Sequence, residues 1–385
     1  LKPFWPILGQ VPSPGGGAGR VGVSLRCQMV GFEETLVFPL APSDPAALEL
    51  GLRGISSSNV TAAELEESLE VGPLADPGRM HDDGYCDPTD IDMLWAQKAR
   101  LDDLFDSGNA ALYRRAREEL YPAAGRWGSG GQRGNRAGDK FAELIEAVGG
   151  LDNVLQAASS ETVFVDVCGA PGSWSKCLFQ MGGSSGSKMR GFGFSLRDGT
   201  NPLSCTWYSE LMGRPNLTAL WGEDGTGNVC IRDNVLHTVT AVGRTAALVV
   251  ADGGFGVGIS SGGEHLENYQ EIVASGVLVA EVTIALETLI AGGCFVCKFF
   301  DTFSHLTVGL LFVLSAVFEE LCVVKPRHSR LVNSERYIVA KRFRGTEAPG
   351  VASLVQAVRA VHVAWPSSAP DSSPWTPQAK APRRV

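Results

Sequence analysis

The sequence lacks several features that would place it in other classes of protein. No apolar run reaches the ~18 residues of a membrane-spanning helix, and the closest stretch, residues 306–318, is short enough for a buried helix. The first residues do not show the basic and then apolar pattern of a secretory signal. The six histidines have no clustered metal spacing. We therefore expect an intracellular protein with no membrane attachment and no metal site.

Two short motifs lack the context that their chemistry needs. Cys294 and Cys297 form a C-x-x-C inside an apparent strand, without the further ligands of a zinc site or the helix start of a redox pair. Residues 258–262 fit the G-x-S-x-G nucleophile pattern, but they follow a glycine-rich loop and not a strand. Most of the nine cysteines lie in apolar, strand-like runs. We interpret them as reduced core thiols, and we predict neither a metal centre nor a serine hydrolase.

The charge of the chain is unevenly distributed. The net charge is -9 overall, and residues 31–110 hold 17 acidic and 4 basic residues. Residues 114–140 hold seven basic and three acidic residues, and residues 325–344 hold seven basic residues and one acidic residue. These two basic segments predict a local surface for a polyanion on an acidic protein, with ordinary solvated surface charge as the alternative.

Strand-like and helix-like patterns alternate along most of the chain. Strands are predicted at residues 163–168, 191–196, 217–221, 246–251, 294–299, 321–325 and 337–341. Helices are predicted at residues 140–148, 174–181, 269–290, 304–318 and 351–361, and a further helical pattern begins at Asp90. The alternation predicts an α/β fold with a mostly parallel central sheet and helices on both faces.

Composition divides the chain into three parts. Residues 1–84 are rich in Gly, Pro and acidic residues and predict an irregular N-terminal extension. Residues 85–345 are predicted to form the main domain. Residues 346–385 predict a C-terminal helix followed by a disordered Pro/Ser-rich tail.

Residues 163–178 read as a strand, a glycine turn and the start of a helix. In an open α/β sheet the ligand lies beyond the carboxyl ends of the strands, near such a turn. The helix start favours a carboxylate or a phosphate. The stretch is neither the G-x-G-x-x-G dinucleotide pattern nor a phosphate-binding P-loop, so the turn alone leaves its ligand open.

Residues 166–175, DVCGAPGSWS, form a more specific motif. It resembles the D-L-C-A/G-A-P-G-G-W/F-S signature of the FtsJ-type ribose 2′-O-methyltransferases, which bind S-adenosylmethionine there. The resemblance implies a Rossmann-like methyltransferase fold and a turn that wraps the methionine part of this cofactor. The implied contacts are Gly169, Ala170, Pro171, Gly172, Ser173, which stands where the family has Gly, and Trp174.

The same family uses a Lys-Asp-Lys-Glu tetrad, and four segments match it in order. The matches are Lys140 in N-R-A-G-D-K, Asp252 in L-V-V-A-D-G-G, Lys298 in G-G-C-F-V-C-K-F and Glu335 after K-P-R-H-S-R. By resemblance, Lys298 is the general base that removes the ribose proton. An unperturbed lysine has a pKa of ~10.4 and is almost wholly charged at neutral pH. We expect burial and the nearby Lys140 to lower the pKa of Lys298, while the two carboxylates oppose this effect.

Two further segments resemble the messenger-RNA cap ribose methyltransferases of eukaryotes and their viruses. Residues 221–228, WGEDGTGN, resemble their G-x-D-G-T-G-D element, and residues 191–196, GFGFSL, resemble their G-F-G-M-T-L strand. This implies that Asp224 and Asp252 help to bind the cofactor and that the substrate is capped mRNA. The implied RNA contacts are Arg126, Trp127, Arg136, Arg327 and Arg330.

The resemblance leaves three questions of function open. A ribosomal or transfer RNA ribose methyltransferase would share the fold, as would a catalytically silent RNA-binding subunit. Other capping or transcription proteins are possible partners of the extension or the tail. A cellular enzyme would act in the nucleus, and a viral one in the host cytoplasm or virion.

Overall fold

The structure is a computed structural model, and the part of the chain that it describes omits both ends. It describes residues 36–40, 87–106, 108–109, 111–112, 115, 136–155, 161–185, 188–197, 199, 206–254, 270–329 and 333–365. Three predicted RNA contacts, Arg126, Trp127 and Arg330, lie outside these residues. So do the G-x-S-x-G segment, most of the predicted extension and the predicted tail from residue 366.

A single sheet organises the described residues. Its eight strands are β1 Leu36–Leu40, β2 Glu161–Val167, β3 Lys188–Phe194, β4 Leu217–Leu220, β5 Ala246–Ala251, β6 Leu289–Phe299, β7 Phe318–Lys325 and β8 Arg336–Phe343. They lie in the order β1-β7-β8-β6-β5-β2-β3-β4. Strands β2 to β6 are mutually parallel, β8 is antiparallel to β6 and β7, and β1 is antiparallel to β7. The predicted α/β fold with a mostly parallel sheet is confirmed.

Helices cover both faces of this sheet. They are α1 Pro88–Asp106, α2 Arg136–Ala147, α3 Leu151–Leu155, α4 Ser173–Ser185, α5 Ser209–Met212, α6 Arg232–Val242, α7 Gln270–Val273, α8 Ser275–Thr288, α9 His305–Val317 and α10 Val351–Ala364. Helices α2 to α5 share one core with one face, and α6, α8, α9 and α10 share another with the opposite face. No described helix has both the length and the apolar character needed to cross a bilayer.

Several elements differ from their predicted bounds. The helix predicted at 269–290 is two helices, and the chain passes directly from α8 into β6 at Leu289. A buried helix and a buried strand are both apolar throughout, so their junction leaves no change of period. Helix α6 was not predicted, and neither was strand β1, which lies in the predicted irregular extension and pairs with β7. Helix α10 packs Val351, Leu354 and Val358 into the main core, so it belongs structurally to the sheet domain.

The described part of the N-terminal region is anchored beside β6. Helix α1 places Lys98 Nζ 2.6 Å from Asp301 Oδ2, with side chains that are 11% and 3% exposed. Arg336 Nη2 lies 3.5 Å from the other oxygen, Asp301 Oδ1. Since Asp301 follows β6 by two residues, this ion pair docks α1 at the end of the strand that carries Lys298.

Replacing Lys98 by Ala is expected to lower the free energy of unfolding by about 3 kcal/mol. The substitution leaves the buried Asp301 carboxylate with the longer ion pair to Arg336, and breaking a buried pair costs roughly 3–5 kcal/mol. Urea denaturation measures the change. Arg100→Ala on the exposed side of α1 is the matched control, with an expected change within about 0.5 kcal/mol. Equal effects of the two variants would show that the ion pair does not dock α1.

Candidate active site

The sheet topology brings three of the four predicted tetrad residues to one edge. Asp252 directly follows β5, Lys298 is the penultimate residue of β6, and Glu335 immediately precedes β8. Because β5 and β6 are parallel and β8 runs antiparallel to β6, their carboxyl ends and the start of β8 lie at the same edge. Lys140 joins them from helix α2, which packs on the face of the sheet that α3, α4 and α5 also cover.

These four side chains form two lysine–carboxylate pairs. Lys298 Nζ donates to the backbone oxygen of Asp252 at 2.8 Å and lies 3.3 Å from Asp252 Oδ1. Lys140 Nζ donates to Glu335 Oε1 at 2.9 Å. All four side chains are between 12% and 20% exposed, so they meet partly shielded from solvent but within reach of a ligand.

The phenol of Tyr337 joins the two pairs. It accepts from Lys140 Nζ at 2.9 Å and lies 3.1 Å from Asp252 Oδ1 and 3.2 Å from Glu335 Oε1. A phenol has one proton, so Tyr337 donates to one of these carboxylates at a time. Its burial, followed by the nearby Asp252 and Glu335, raises the pKa of Tyr337 well above its usual value, which keeps it a donor.

Tyr337 was not predicted from the sequence, although a local signal existed. Successive side chains of a strand point to opposite faces, so Tyr337 lies on the same side as Glu335, two residues earlier. Its pairing across the strands with Lys298 could not be read from the sequence.

The balance of effects on the pKa of Lys298, which the sequence left open, is upward. Burial lowers this pKa, but the negative charges of Asp252, Glu335 and Glu281 outweigh burial. Lys140 directs its ammonium at Glu335 and Tyr337.

Glu335 is held as an anion from several sides. Burial raises its pKa, but Lys140, Lys298 and a hydrogen bond from Lys140 lower it to about 2. Ser329 Oγ donates to Glu335 Oε1 at 2.9 Å. The buried Lys325 donates to the backbone oxygen of Glu335 and to Asn333. These contacts fix the segment before β8, so the Glu335 carboxylate has a defined position.

The glycine turn lies next to this cluster, at the end of β2. Residues 168–172 connect β2 to α4, and β2 pairs directly with β5. A Cβ on Gly169 would come 2.4 Å from Asp166 Cγ. Gly172 has φ +100°, and a Cβ there would come 2.3 Å from Leu211 Cδ1. Only glycine fits at these two points, because protein side chains occupy the space that a Cβ would need.

Trp174 follows the turn with its side chain in the core. This side chain is 2% exposed, stacks on Phe141 at 4.7 Å between ring centroids and donates to the backbone oxygen of Ala137 at 2.9 Å. A contact of Trp174 with the cofactor stays a prediction, and it would involve the backbone. The neighbouring Ser173 begins α4 and is almost buried.

Asp166 supports the turn from below. Its Oδ2 accepts from the backbone N–H of Ser175 at 3.1 Å and from Ser175 Oγ at 2.6 Å. Complete burial raises the pKa of Asp166 to about 7. Asp166 therefore ties the end of β2 to the first turn of α4.

Asp224 lies in a loop beyond the end of β4. Its carboxylate accepts from the backbone N–H of Thr226 at 2.8 Å and from Thr226 Oγ1 at 2.7 Å. Slight burial raises its pKa, but these hydrogen bonds lower it on balance, so the exposed carboxylate is an anion at neutral pH. A Cβ on Gly227 would come 1.8 Å from the backbone oxygen of Ser195, so this loop packs tightly against the end of β3.

The two described RNA-contact predictions lie around the same edge. Arg136 is the first residue of α2, one helical turn before Lys140, and Arg327 is exposed between β7 and β8.

The described cysteines are free thiols, and Cys294 and Cys297 of the C-x-x-C pair are buried in β6.

Comparisons with known proteins agree with this arrangement. Residues 134–343 match the family model of the FtsJ-like methyltransferases. The cap-specific mRNA (nucleoside-2′-O-)-methyltransferase 1 of Trypanosoma cruzi is 40% identical over 262 residues, which are 66% of this chain and 68% of that protein. The protein of the same name from Trypanosoma brucei is 40% identical over 259 residues, 66% of each chain.

A solved structure, a ribosomal RNA methyltransferase from Plasmodium falciparum, matches 55% of this chain and 98% of its own, with 19% identity and a TM-score of 0.37.

The chain spans about two thirds of the length of the two trypanosome relatives. The family match extends over more than half of the chain and includes all four tetrad positions. The chain belongs to the FtsJ-like methyltransferase family.

Proposed function

We propose that this protein transfers a methyl group from S-adenosylmethionine to a ribose 2′-hydroxyl near the 5′ cap of mRNA. The observation that carries the proposal is the cluster of two lysine–carboxylate pairs beside the glycine turn. The names of the trypanosome relatives support the capped substrate.

The residues around the turn fit S-adenosylmethionine. Gly169 and Gly172 permit the tight turn that leads into α4, and the N-terminal N–H groups of this helix suit the carboxylate of the methionine part. Ala170 and Pro171 complete the turn. Asp224, an exposed anion beyond β4, suits the hydroxyl groups of the adenosine, and Asp252 borders the same space. When bound, this cofactor supplies an electrophilic methyl group on a sulfonium.

Lys298 is proposed as the general base. It must lose its ammonium proton before it can accept the ribose proton, and its raised pKa makes the neutral form scarce at neutral pH. A positive charge bound nearby would lower this pKa. We expect the rate of methyl transfer to increase with pH through the neutral range for this reason.

The other three tetrad residues hold the geometry. Asp252 orients the Lys298 ammonium through its backbone oxygen and carboxylate. Glu335 holds Lys140, which can donate to the ribose oxygens through its remaining N–H group. Tyr337 fixes the separation of the two pairs because it contacts both.

The RNA is proposed to cross the same edge of the sheet. Arg136 and Arg327 flank the tetrad and suit phosphate groups, and Arg330 lies in the adjoining segment. Trp127 is proposed to stack on the methylated guanine of the cap, with Arg126 beside it on the triphosphate. An enzyme of this kind in a cell would act in the nucleus.

Methylation assays on one transcript with and without a cap test the substrate. We expect at least tenfold faster methylation of the capped RNA, because the cap contacts position the ribose. Equal rates on both transcripts would contradict cap specificity and favour the ribosomal or transfer RNA alternative. Failure to methylate any RNA while the protein remains folded would favour the catalytically silent RNA-binding subunit.

A further inference from the structure

A buried glutamate lies directly behind the tetrad. Glu281 is in the middle of α8 and is 1% exposed. It is not part of the tetrad, and it was not among the residues predicted from the sequence. A carboxyl group in an apolar helix is costly unless it is paired, so its contacts indicate why it is there.

Each oxygen of Glu281 contacts the chain neighbour of a tetrad residue. Oε1 accepts from the backbone N–H of Gly253 at 2.9 Å, and Gly253 follows Asp252. Oε2 accepts from Cys297 Sγ at 3.4 Å, and Cys297 precedes Lys298. One carboxyl group thus joins the ends of β5 and β6 at the two positions beside the Asp252–Lys298 pair.

The backbone at this point leaves no space for a larger residue. A Cβ on Gly253 would come 2.1 Å from Glu281 Oε1, and one on Gly254 would come 2.9 Å from Lys298 Nζ. Glu281, Gly253 and Lys298 also line one small cavity, so the carboxyl group and the ammonium border the same space.

We propose that Glu281 is a positioning residue for methyl transfer, which holds the strand ends that carry Asp252 and Lys298 and whose carboxylate stabilises the Lys298 ammonium. This inference rests on the proposed function, since it assigns a role to the same site.

The charge of Glu281 changes with pH near neutrality. Burial raises its pKa to about 7, against the opposing effects of Lys298 and the hydrogen bonds from Cys297 and Gly253. Below that pH the carboxyl is neutral, and above it the anion stabilises the Lys298 ammonium. Other charged or titratable groups that face Glu281 or border the cavity are Cys168, Cys230, Asp252, Cys297, Glu271 and Asp301.

The thiols in this set do not titrate in the same range. Burial raises the pKa of Cys230 to about 11 and those of Cys168 and Cys297 well above their usual values. They remain neutral from pH 6 to pH 9. A change in pH profile on removing the charge of Glu281 therefore does not come from these thiols.

Glu281→Gln separates the charge from the contacts. A glutamine oxygen can still accept from Gly253 N–H, but the side chain has no charge. Single-turnover rates on capped RNA at saturating donor are measured from pH 6 to pH 9. We expect the ratio of variant to wild-type rate to be near 1 at pH 6 and to rise to about threefold near pH 8.5, which corresponds to half a pKa unit on Lys298. Glu287→Gln, on the same helix but paired with Arg244 and Arg359, is the control with a flat ratio.

Glu281→Leu tests the contacts without relying on activity. It removes the acceptor of Gly253 N–H, so we expect hydrogen exchange in the peptide that contains residues 252–254 to accelerate at least tenfold, while Glu281→Gln leaves it unchanged. A flat rate ratio for Glu281→Gln, or unchanged exchange in Glu281→Leu, would overturn the proposal. If the wild-type protein methylates no RNA, the proposed function fails while the exchange result still decides whether Glu281 holds the strand end.

Discussion

Lys298→Met is expected to slow methyl transfer by about 10²- to 10⁴-fold, the usual contribution of a general base. Methionine is close to lysine in length and fills the partly buried position, but it can neither accept the ribose proton nor pair with Asp252. The Asp252 carboxylate loses its contact with residue 298 but keeps its contact with the Tyr337 phenol, so Asp252 stays linked to the rest of the site. The rate is measured in a single turnover with capped RNA at saturating donor.

The control for this prediction is Lys188→Met at the exposed start of β3. It removes the same charge far from the carboxyl edge and is expected to change the rate less than twofold. Binding of S-adenosylmethionine should persist in both variants, because the glycine turn is unaltered. A Lys298→Met protein that keeps more than a tenth of the wild-type rate would show that Lys298 is not the base.

Gly172→Ala is expected to weaken S-adenosylmethionine binding at least tenfold. The residue has φ +100°, a conformation that alanine adopts only with strain, and its Cβ would come 2.3 Å from Leu211 Cδ1 and 2.9 Å from Trp207 Cε3. The turn must shift to relieve these contacts, and it then no longer presents the start of α4 to the cofactor. Isothermal titration calorimetry gives the change in affinity.

Gly183→Ala in α4, the helix that follows the turn, is the matched control. No atom lies within 4 Å of its Cβ position, and alanine is favoured over glycine in a helix by about 0.5–1 kcal/mol. It should bind the cofactor normally and unfold at the same or a higher temperature. Thermal unfolding of both variants separates a local change at the turn from loss of the fold. Wild-type affinity in a folded Gly172→Ala protein would contradict the assignment of the turn.

The sequence was most informative where the site residues lie in local motifs. Asp252 and Lys298 each stand at the carboxyl end of a strand that could be predicted from apolar runs, and the α/β topology then places such ends at one edge. That is why these two residues could be expected to meet. Glu335 precedes β8, and it reaches the same edge because β8 is antiparallel to β6, a direction that apolar runs do not give. The turn at Gly169 and Gly172 could also be predicted from the sequence, because only glycine is tolerated at these two positions.

The sequence was least informative where contacts join distant segments. Tyr337 meets Lys140 across 197 positions, and Glu281 meets Gly253 from within a helix that is apolar on almost every side. The direction of the pKa shift of Lys298 depends on whether the effect of burial or that of the three carboxylates is larger, and this depends on the distances between these groups. For Trp174, the motif gave no direction for the side chain, which follows from its packing on Phe141.

The most direct test of the proposed chemistry is mass-spectrometric mapping of capped RNA after incubation with the protein and S-adenosylmethionine that carries a deuterated methyl group. We predict one labelled methyl on a ribose 2′-oxygen among the nucleotides next to the cap, and its loss in Lys298→Met. Label on a base, or on riboses far from the cap at equal frequency, would contradict the proposed chemistry.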